Sequence, residues 1–289
     1  MRLVLVHGRD QQGKDRAELK RAWLAALDIG LSNAELPALK TMDVEFPYYG
    51  DELERLVQEI DTPLVSDVLA RGGLTDDRAS DFRGRLLEEL AASAGVTPAQ
   101  INAKYSGAAT EKGPLNWEWV QAILRALDNT PIGRSTIDRF TRDVYVYLTY
   151  PAVQAAVNKL VESTLTEEPC VVVAHSLGTV VTYRLLRDPA CRAKVKRLIT
   201  LGSPLGVNAI RDLIKPPALA NPDGLTEWFN AYDPRDVVAL RPLDEQTWKI
   251  RPLIKNKSDV DNHTKNRHGI GGYLDDATVA RWIYEATAA

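Results

Sequence analysis

Four short stretches of this chain carry residue types that could perform acyl transfer. The first is Val171-Val172-Val173-Ala174-His175-Ser176-Leu177-Gly178-Thr179-Val180-Val181. A β-branched apolar run ends in Ala-His-Ser-Leu-Gly, and an apolar helical pattern follows. A serine placed where a buried strand turns sharply into a helix is forced outward at the carboxyl end of a sheet. Such a turn needs small flanking residues, and Ala174 and Gly178 supply them. Free N–H groups at the start of the next helix would favour a developing oxyanion. Ser176 is therefore the candidate nucleophile. The bland alternative is a serine that merely caps a helix.

The second stretch is Trp228-Phe229-Asn230-Ala231-Tyr232-Asp233-Pro234-Arg235-Asp236-Val237-Val238. A strand-like run ends and two carboxylates follow. Either could orient a histidine and stabilise it as imidazolium. Asp236 is preferred, because Val237 and Val238 would anchor its loop in the core. Asp233 precedes Pro234 and suits the start of a turn. The third stretch is Asn262-His263-Thr264-Lys265-Asn266-Arg267-His268-Gly269-Ile270-Gly271-Gly272-Tyr273. It is polar and glycine-rich, and it holds two of the chain's 4 histidines. His268 is preferred over His263 as the base, since it lies nearest the glycines and the last helix. The fourth stretch is Val6-His7-Gly8-Arg9-Asp10. A His-Gly turn after an early strand is where this chemistry places a second oxyanion donor. The backbone N–H groups of Arg9 and Leu177 are the expected pair, with His7 in a structural role.

These residues need elements to position them. Residues 3–6 read as a buried strand, 14–27 as a helix and 42–48 as a strand with Pro47 near its end or on an edge. That is the unit of a parallel sheet. Residues 51–129 differ in texture. Helical patterns at 52–60, 78–93 and 116–127 are separated by Gly72-Gly73, Gly95-Val96-Thr97-Pro98 and Gly113-Pro114, with no convincing strand. A helical cap is expected over 51–130, with residues 1–50 and 131–289 forming the core; the alternative is a set of ordinary crossover helices covering one sheet face. Trp117, Trp119 and Leu124 could wall an acyl pocket or could be plain helix core. From Asp143 the strand–helix rhythm returns. A helix is expected at 151–165, strands at 170–174, 195–201 and 226–232, an edge strand at 248–253, and a last helix at 275–286 capped by Asp275 or Asp276.

Composition narrows the function classes. The hydrophobic fraction is 45%, so the chain can build a globular core. Acidic residues number 39 against 36 basic, a net charge of -3, which argues against nucleic acid as the main partner. Arg9, Lys14, Arg16, Lys20 and Arg21 read as a solvated helix face. Cys170 and Cys191 make no disulfide framework or CxxC metal pattern, and Cys170 reads as a small core residue. Neither a signal peptide nor an apolar membrane span is evident, so a cytoplasmic, non-integral-membrane protein is expected.

Val172-Val173-Ala174-His175-Ser176-Leu177-Gly178-Thr179, Thr200-Leu201-Gly202-Ser203-Pro204-Leu205-Gly206 and Asn230-x-x-Asp233-Pro234-Arg235-Asp236-Val237-Val238 resemble the lipase/esterase-like α/β-hydrolase superfamily. His268 ahead of Tyr273 and the last helix fits too. So does the chain order nucleophile, acid, base. The likeness extends to bacterial lipase-like hydrolases, including a branch related to inositol deacylases. It covers 1–50 and roughly 143–289, and not 51–129. Ala174 replaces the first motif glycine, and a sheet without the usual leading antiparallel strands is expected. The resemblance implies a reduced, mainly parallel α/β sheet flanked by helices, into which the helical cap read from residues 51–130 is inserted. It also implies a serine hydrolase cleaving carboxylic esters through Ser176, Asp236 and His268. The substrate would be a small acyl ester or lipid-like molecule, with no cofactor or metal. A serine amidase or peptidase on the same residues and a non-catalytic binding or sensor protein are the alternatives.

Overall fold

In the computed structural model the strands are β1 (Arg2–Val6), β2 (Val44–Glu45), β3 (Cys170–His175), β4 (Val195–Leu201), β5 (Glu227–Ala231) and β6 (Lys255–Lys257). They form one sheet in the order β2-β1-β3-β4-β5-β6. Every neighbouring pair is parallel. The structure describes residues 1–39, 42–71, 77–107, 117–127, 134–191, 193–215 and 217–288, and gives the backbone path alone for 61–71, 77, 117–118, 121 and 134–136.

Helix α1 (Arg16–Asn33) joins β1 to β2. Between β2 and β3 lie α2 (Gly50–Arg71), α3 (Asp77–Ser93), α4 (Pro98–Asn102), α5 (Trp117–Leu127), α6 (Arg134–Thr149) and α7 (Pro151–Glu162). Helix α8 (Leu177–Leu186) follows β3, and α9 (Asn208–Ile214) follows β4 after a 3-10 turn at Pro204–Gly206. Helices α10 (Gly271–Leu274) and α11 (Ala277–Ala288) end the chain. This is an α/β architecture. Among the described residues no helix is long and apolar enough to cross a membrane.

The period-two alternation of the strands sorts their side chains onto two covered faces. Leu3, Leu5, Val171, Val173, Ile199 and Phe229 pack with Trp23, Leu27 and Leu31 of α1 and Val279, Ala280 and Ile283 of α11. Val4, Val6, Val172, Ala174 and Leu198 face the other way. They share one core with Leu53 of α2, Leu86 and Leu90 of α3, Ile123 of α5, Val144 of α6 and Val157 of α7. The helices of 51–149 are thus built onto one sheet face. Burying a Leu or Val side chain contributes ~1.5–3 kcal/mol, so this shared core ties the segment firmly to the sheet.

Several boundaries depart from the sequence pattern. The strand expected over 42–48 pairs only at Val44 and Glu45, on the sheet edge. Pro47 has no N–H to extend the ladder. The edge strand expected at 248–253 does not form; the last strand is Lys255–Lys257. Trp248 is instead buried against Tyr183 and Trp228, and Pro252 interrupts the run. Helix α1 runs on to Asn33, and Asp15 caps it by accepting from Glu18 N–H at 2.8 Å. Asp276, not Asp275, caps α11: its Oδ1 accepts from Thr278 N–H and Val279 N–H at 2.9 and 3.0 Å. The expected junctions at Gly72-Gly73 and Gly113-Pro114 lie outside the described residues, as does the Trp117 side chain.

Candidate active site

Strand β3 delivers Ser176 to the carboxyl edge of the sheet, and α8 begins at the next residue. Ser176 takes φ 54 and ψ -128, a conformation that L-residues rarely adopt. The chain tolerates it because both sides of the turn are tightly packed. A Cβ on Gly178 would fall 2.4 Å from the His7 carbonyl oxygen and 2.6 Å from that of Val6. A Cβ on Gly8 would fall 2.7 Å from the Ser176 Cβ. Small residues are therefore required where β1, its following loop and the turn meet.

Three loops at this edge converge on Ser176. Its Oγ lies 2.8 Å from His268 Nε2. His268 Nδ1 lies 2.7 Å from Asp236 Oδ2. Asp236 Oδ1 accepts from Val238 N–H at 2.9 Å and Ala239 N–H at 3.4 Å. Asp236 Oδ2 also accepts from the Tyr273 hydroxyl at 2.6 Å. A carboxylate can only accept here, so the His268 proton sits on Nδ1. Nε2 then offers its lone pair to the serine hydroxyl. The arrangement is a proton path from Ser176 to an imidazole whose tautomer is fixed by a buried carboxylate.

The surrounding groups hold this chain in place. Burial pushes the Tyr273 phenol well above its ordinary pKa, and the Asp236 charge adds to the shift, so it stays a donor. Gly202, at φ 56, lies under the pair: a Cβ there would come 3.2 Å from Asp236 Oδ2 and 3.3 Å from His268 Cε1. His175 is buried, which lowers its pKa to about 3, with His268 nearby adding to the effect. It is neutral, and its Nε2–H donates to the His268 carbonyl at 2.8 Å. His7 is likewise buried, with its pKa lowered to about 4. Its Nε2 accepts from Tyr49 N–H at 3.1 Å, and its Nδ1–H donates to the Gly8 carbonyl at 2.6 Å. His7 is a structural strut beneath the loop.

The two alternative residues lie elsewhere. His263 is exposed and faces Asp275 at 3.4 Å. Asp233 is fully buried, and its carboxylate accepts from Arg235 N–H at 2.7 Å, Asn262 N–H at 2.9 Å and Arg267 Nη1 at 3.1 Å. It pins the loop of Asp236 to the loop of His268. The sequence alone suggests a turn residue or a rival acid at Asp233 and not this staple, for which Arg267 beside His268 is the available signal.

Leu177 is the first residue of α8, whose first-turn N–H groups have no acceptor within the helix. The loop carrying Arg9 passes against Ser176 through Gly8. The Arg9 side chain corrects the expectation of a solvated helix face. It is only 7% exposed and donates to Asp143 Oδ2 at 2.9 Å and Asp10 Oδ2 at 2.5 Å. Arg16 and Arg21 are exposed, as expected. Burial raises the pKa of Asp143, while Arg9 and Arg142 oppose the shift. Leu124 is buried in the core, and the Trp119 indole donates to Glu88 at 2.8 Å.

No protein-family model matches the chain, and neither a curated protein nor a solved structure does.

Proposed function

We propose that this protein is a serine hydrolase of the α/β-hydrolase kind that cleaves carboxylic esters through an acyl-enzyme. The observation that carries the proposal is the continuous hydrogen-bonded line Ser176 Oγ, His268 Nε2, His268 Nδ1, Asp236 Oδ2, with steps of 2.8 and 2.7 Å across the imidazole. Ser176 attacks the ester carbonyl while His268 takes its proton. The imidazolium then protonates the leaving alcohol. Water repeats the sequence in reverse, with His268 again as base, and frees the acid. Asp236 holds the imidazole tautomer and stabilises its charged form. The N–H groups of Leu177 and Arg9 receive the oxyanion; losing one such donor typically costs ~10²–10³ in rate.

Residues 51–130 are the proposed cap. The chain enters them at Gly50, whose added Cβ would fall 3.0 Å from the backbone of Gln11 and Gln12 in the loop after β1. Glu89 of α3 accepts from Asn208 N–H and Ala209 N–H at 3.0 Å each, at the start of α9. Both contacts lie beyond the carboxyl ends of strands, on the edge that bears Ser176. Such a layer can set the depth of an acyl pocket.

The test is a panel of esters of increasing acyl length, with amide counterparts. Turnover of esters that vanishes in Ser176→Ala supports the proposal. Failure of the intact protein to hydrolyse any ester refutes it.

A further inference from the structure

The loop after β1 is clamped on both flanks. The Tyr49 hydroxyl donates to the His7 carbonyl before it. Beyond it, the Tyr48 hydroxyl donates to the Gln11 carbonyl at 2.6 Å, and Gly13 N–H to Asp51 Oδ1 at 2.7 Å. The middle of the loop is held differently. Arg9 Nε donates to Asp143 Oδ2 at 2.9 Å, with the two side chains 7% and 5% exposed. Asp143 belongs to α6, whose buried side chains share the core of the helical segment. Its second oxygen accepts from Arg142 Nε at 3.2 Å. Arg9 Nη1 turns back to Asp10, which takes φ 59, in the left-handed region that non-glycine residues seldom occupy.

A charge buried this deeply is costly to desolvate, and a helix packing on a sheet does not need one. A guanidinium donates from a rigid planar fork, so engaging two carboxylates fixes its direction. With its side chain fixed and Gln11 Nε2 donating to its carbonyl at 2.8 Å, the Arg9 backbone has little freedom left.

We propose that Asp143 is a positioning residue for the oxyanion side of the site, holding through Arg9 the backbone N–H that meets the substrate carbonyl oxygen at Ser176. This rests on the serine-hydrolase proposal above. It makes α6 a part of the machinery: the helical layer holds one half of the oxyanion hole in place.

The test is Asp143→Asn in the full chain, which keeps the side-chain shape and removes the charge. Two readouts are taken. One is amide hydrogen exchange over residues 8–13. The other is the kcat ratio of an oxoester to its thionoester, whose sulfur is a weak hydrogen-bond acceptor and gains less from an oxyanion hole. Faster exchange is expected, with an oxoester kcat about 10–100-fold lower, KM within about twofold, and a ratio lowered by a similar factor. Asp143→Glu, which keeps the charge, should recover most of the ratio. A general loss of folded protein would lower both substrates equally. Arg9→Gln cuts the same tie from the loop side and gives the same readouts if Asp143→Asn does not fold. Unchanged exchange overturns the tie. Faster exchange with an unchanged ratio overturns the oxyanion role. The exchange measurement needs no turnover, so an unaltered protein that hydrolyses no ester would refute the proposed function while exchange still judges the tie.

Discussion

Ser176 sits at φ 54 and ψ -128, where a Cβ is unwelcome. Backbone strain of this kind costs of order 1–3 kcal/mol. Ser176→Ala should remove turnover and leave the melting temperature nearly unchanged, because the strain stays. Ser176→Gly should also be inactive but melt above Ser176→Ala, since glycine relieves the strain. Thermal denaturation of the two variants checks this; a glycine variant that melts lower would contradict it. The two aspartates separate by the same kind of comparison. Asp236→Asn should lower kcat by about 10⁴, as it upsets the imidazole tautomer, and should lower the melting temperature too, because its buried carboxylate also loses hydrogen bonds. Asp233→Asn should chiefly lower stability, by about 1–3 kcal/mol, because it weakens the hydrogen bonds to a fully buried carboxylate. Urea titrations beside steady-state kinetics distinguish the two; the reverse pattern would make Asp233 the acid. At this scale the sequence was informative about the meeting of Ser176, Asp236 and His268, because each falls in a distinct stretch with its own pattern. Tyr273, His175 and Asp143 could not be assigned their contacts, because a phenol, an imidazole or a carboxylate acquires a partner only when distant loops meet.

Among elements, β1 and α8 meet at a tight junction. Gly178 has the carbonyls of Val6 and His7 where a side chain would go, at 2.6 and 2.4 Å. Backbone there cannot step aside without moving the β1–β3 pairing. Gly178→Ala should therefore destabilise the fold by about 1–3 kcal/mol or more, and lower activity through displacement of the loop after β1. Differential scanning calorimetry checks it; an unchanged melting temperature would contradict the packing. Strands β1, β3, β4 and β5 were legible as apolar or β-branched runs buried on both faces. Helix α6 was not. Its Val144-Tyr145-Val146-Tyr147 run is rich in residues that favour strands, and packing against α3, α7 and α9 overrides that preference. The edge strand at Lys255–Lys257 has three polar residues and no apolar alternation to betray it.

Taken as a whole, the molecule buries two neutral imidazoles near the site. His7 and His175 are lowered from 6.5 to about 4 and about 3, chiefly by burial. The unfolded chain protonates both near their ordinary value, so below it the unfolded state binds more protons. Their contribution is therefore complete above about pH 6.5 and is lost as the pH falls toward the folded values. At ~1.4 kcal/mol per unit this amounts to about 3 kcal/mol for His7 and about 5 kcal/mol for His175 at full extent. Urea midpoints should fall steadily from pH 7 to pH 4.5; a flat profile would mean that the two rings are not buried as neutral groups. The single core that joins α2, α3, α5 and α6 to the sheet has a consequence for the proposed cap as well. Its inner surface is part of the fold, so acyl selectivity would come from side chains lining a fixed layer.

The central claim is that Ser176 is a nucleophile activated by His268 and Asp236. Labelling the intact protein with a fluorophosphonate and mapping the adduct by mass spectrometry tests it most directly. The account predicts one phosphonylated residue, Ser176, with labelling absent in Ser176→Ala and strongly slowed in His268→Ala. An intact protein that does not react, or an adduct that persists in Ser176→Ala, would contradict it.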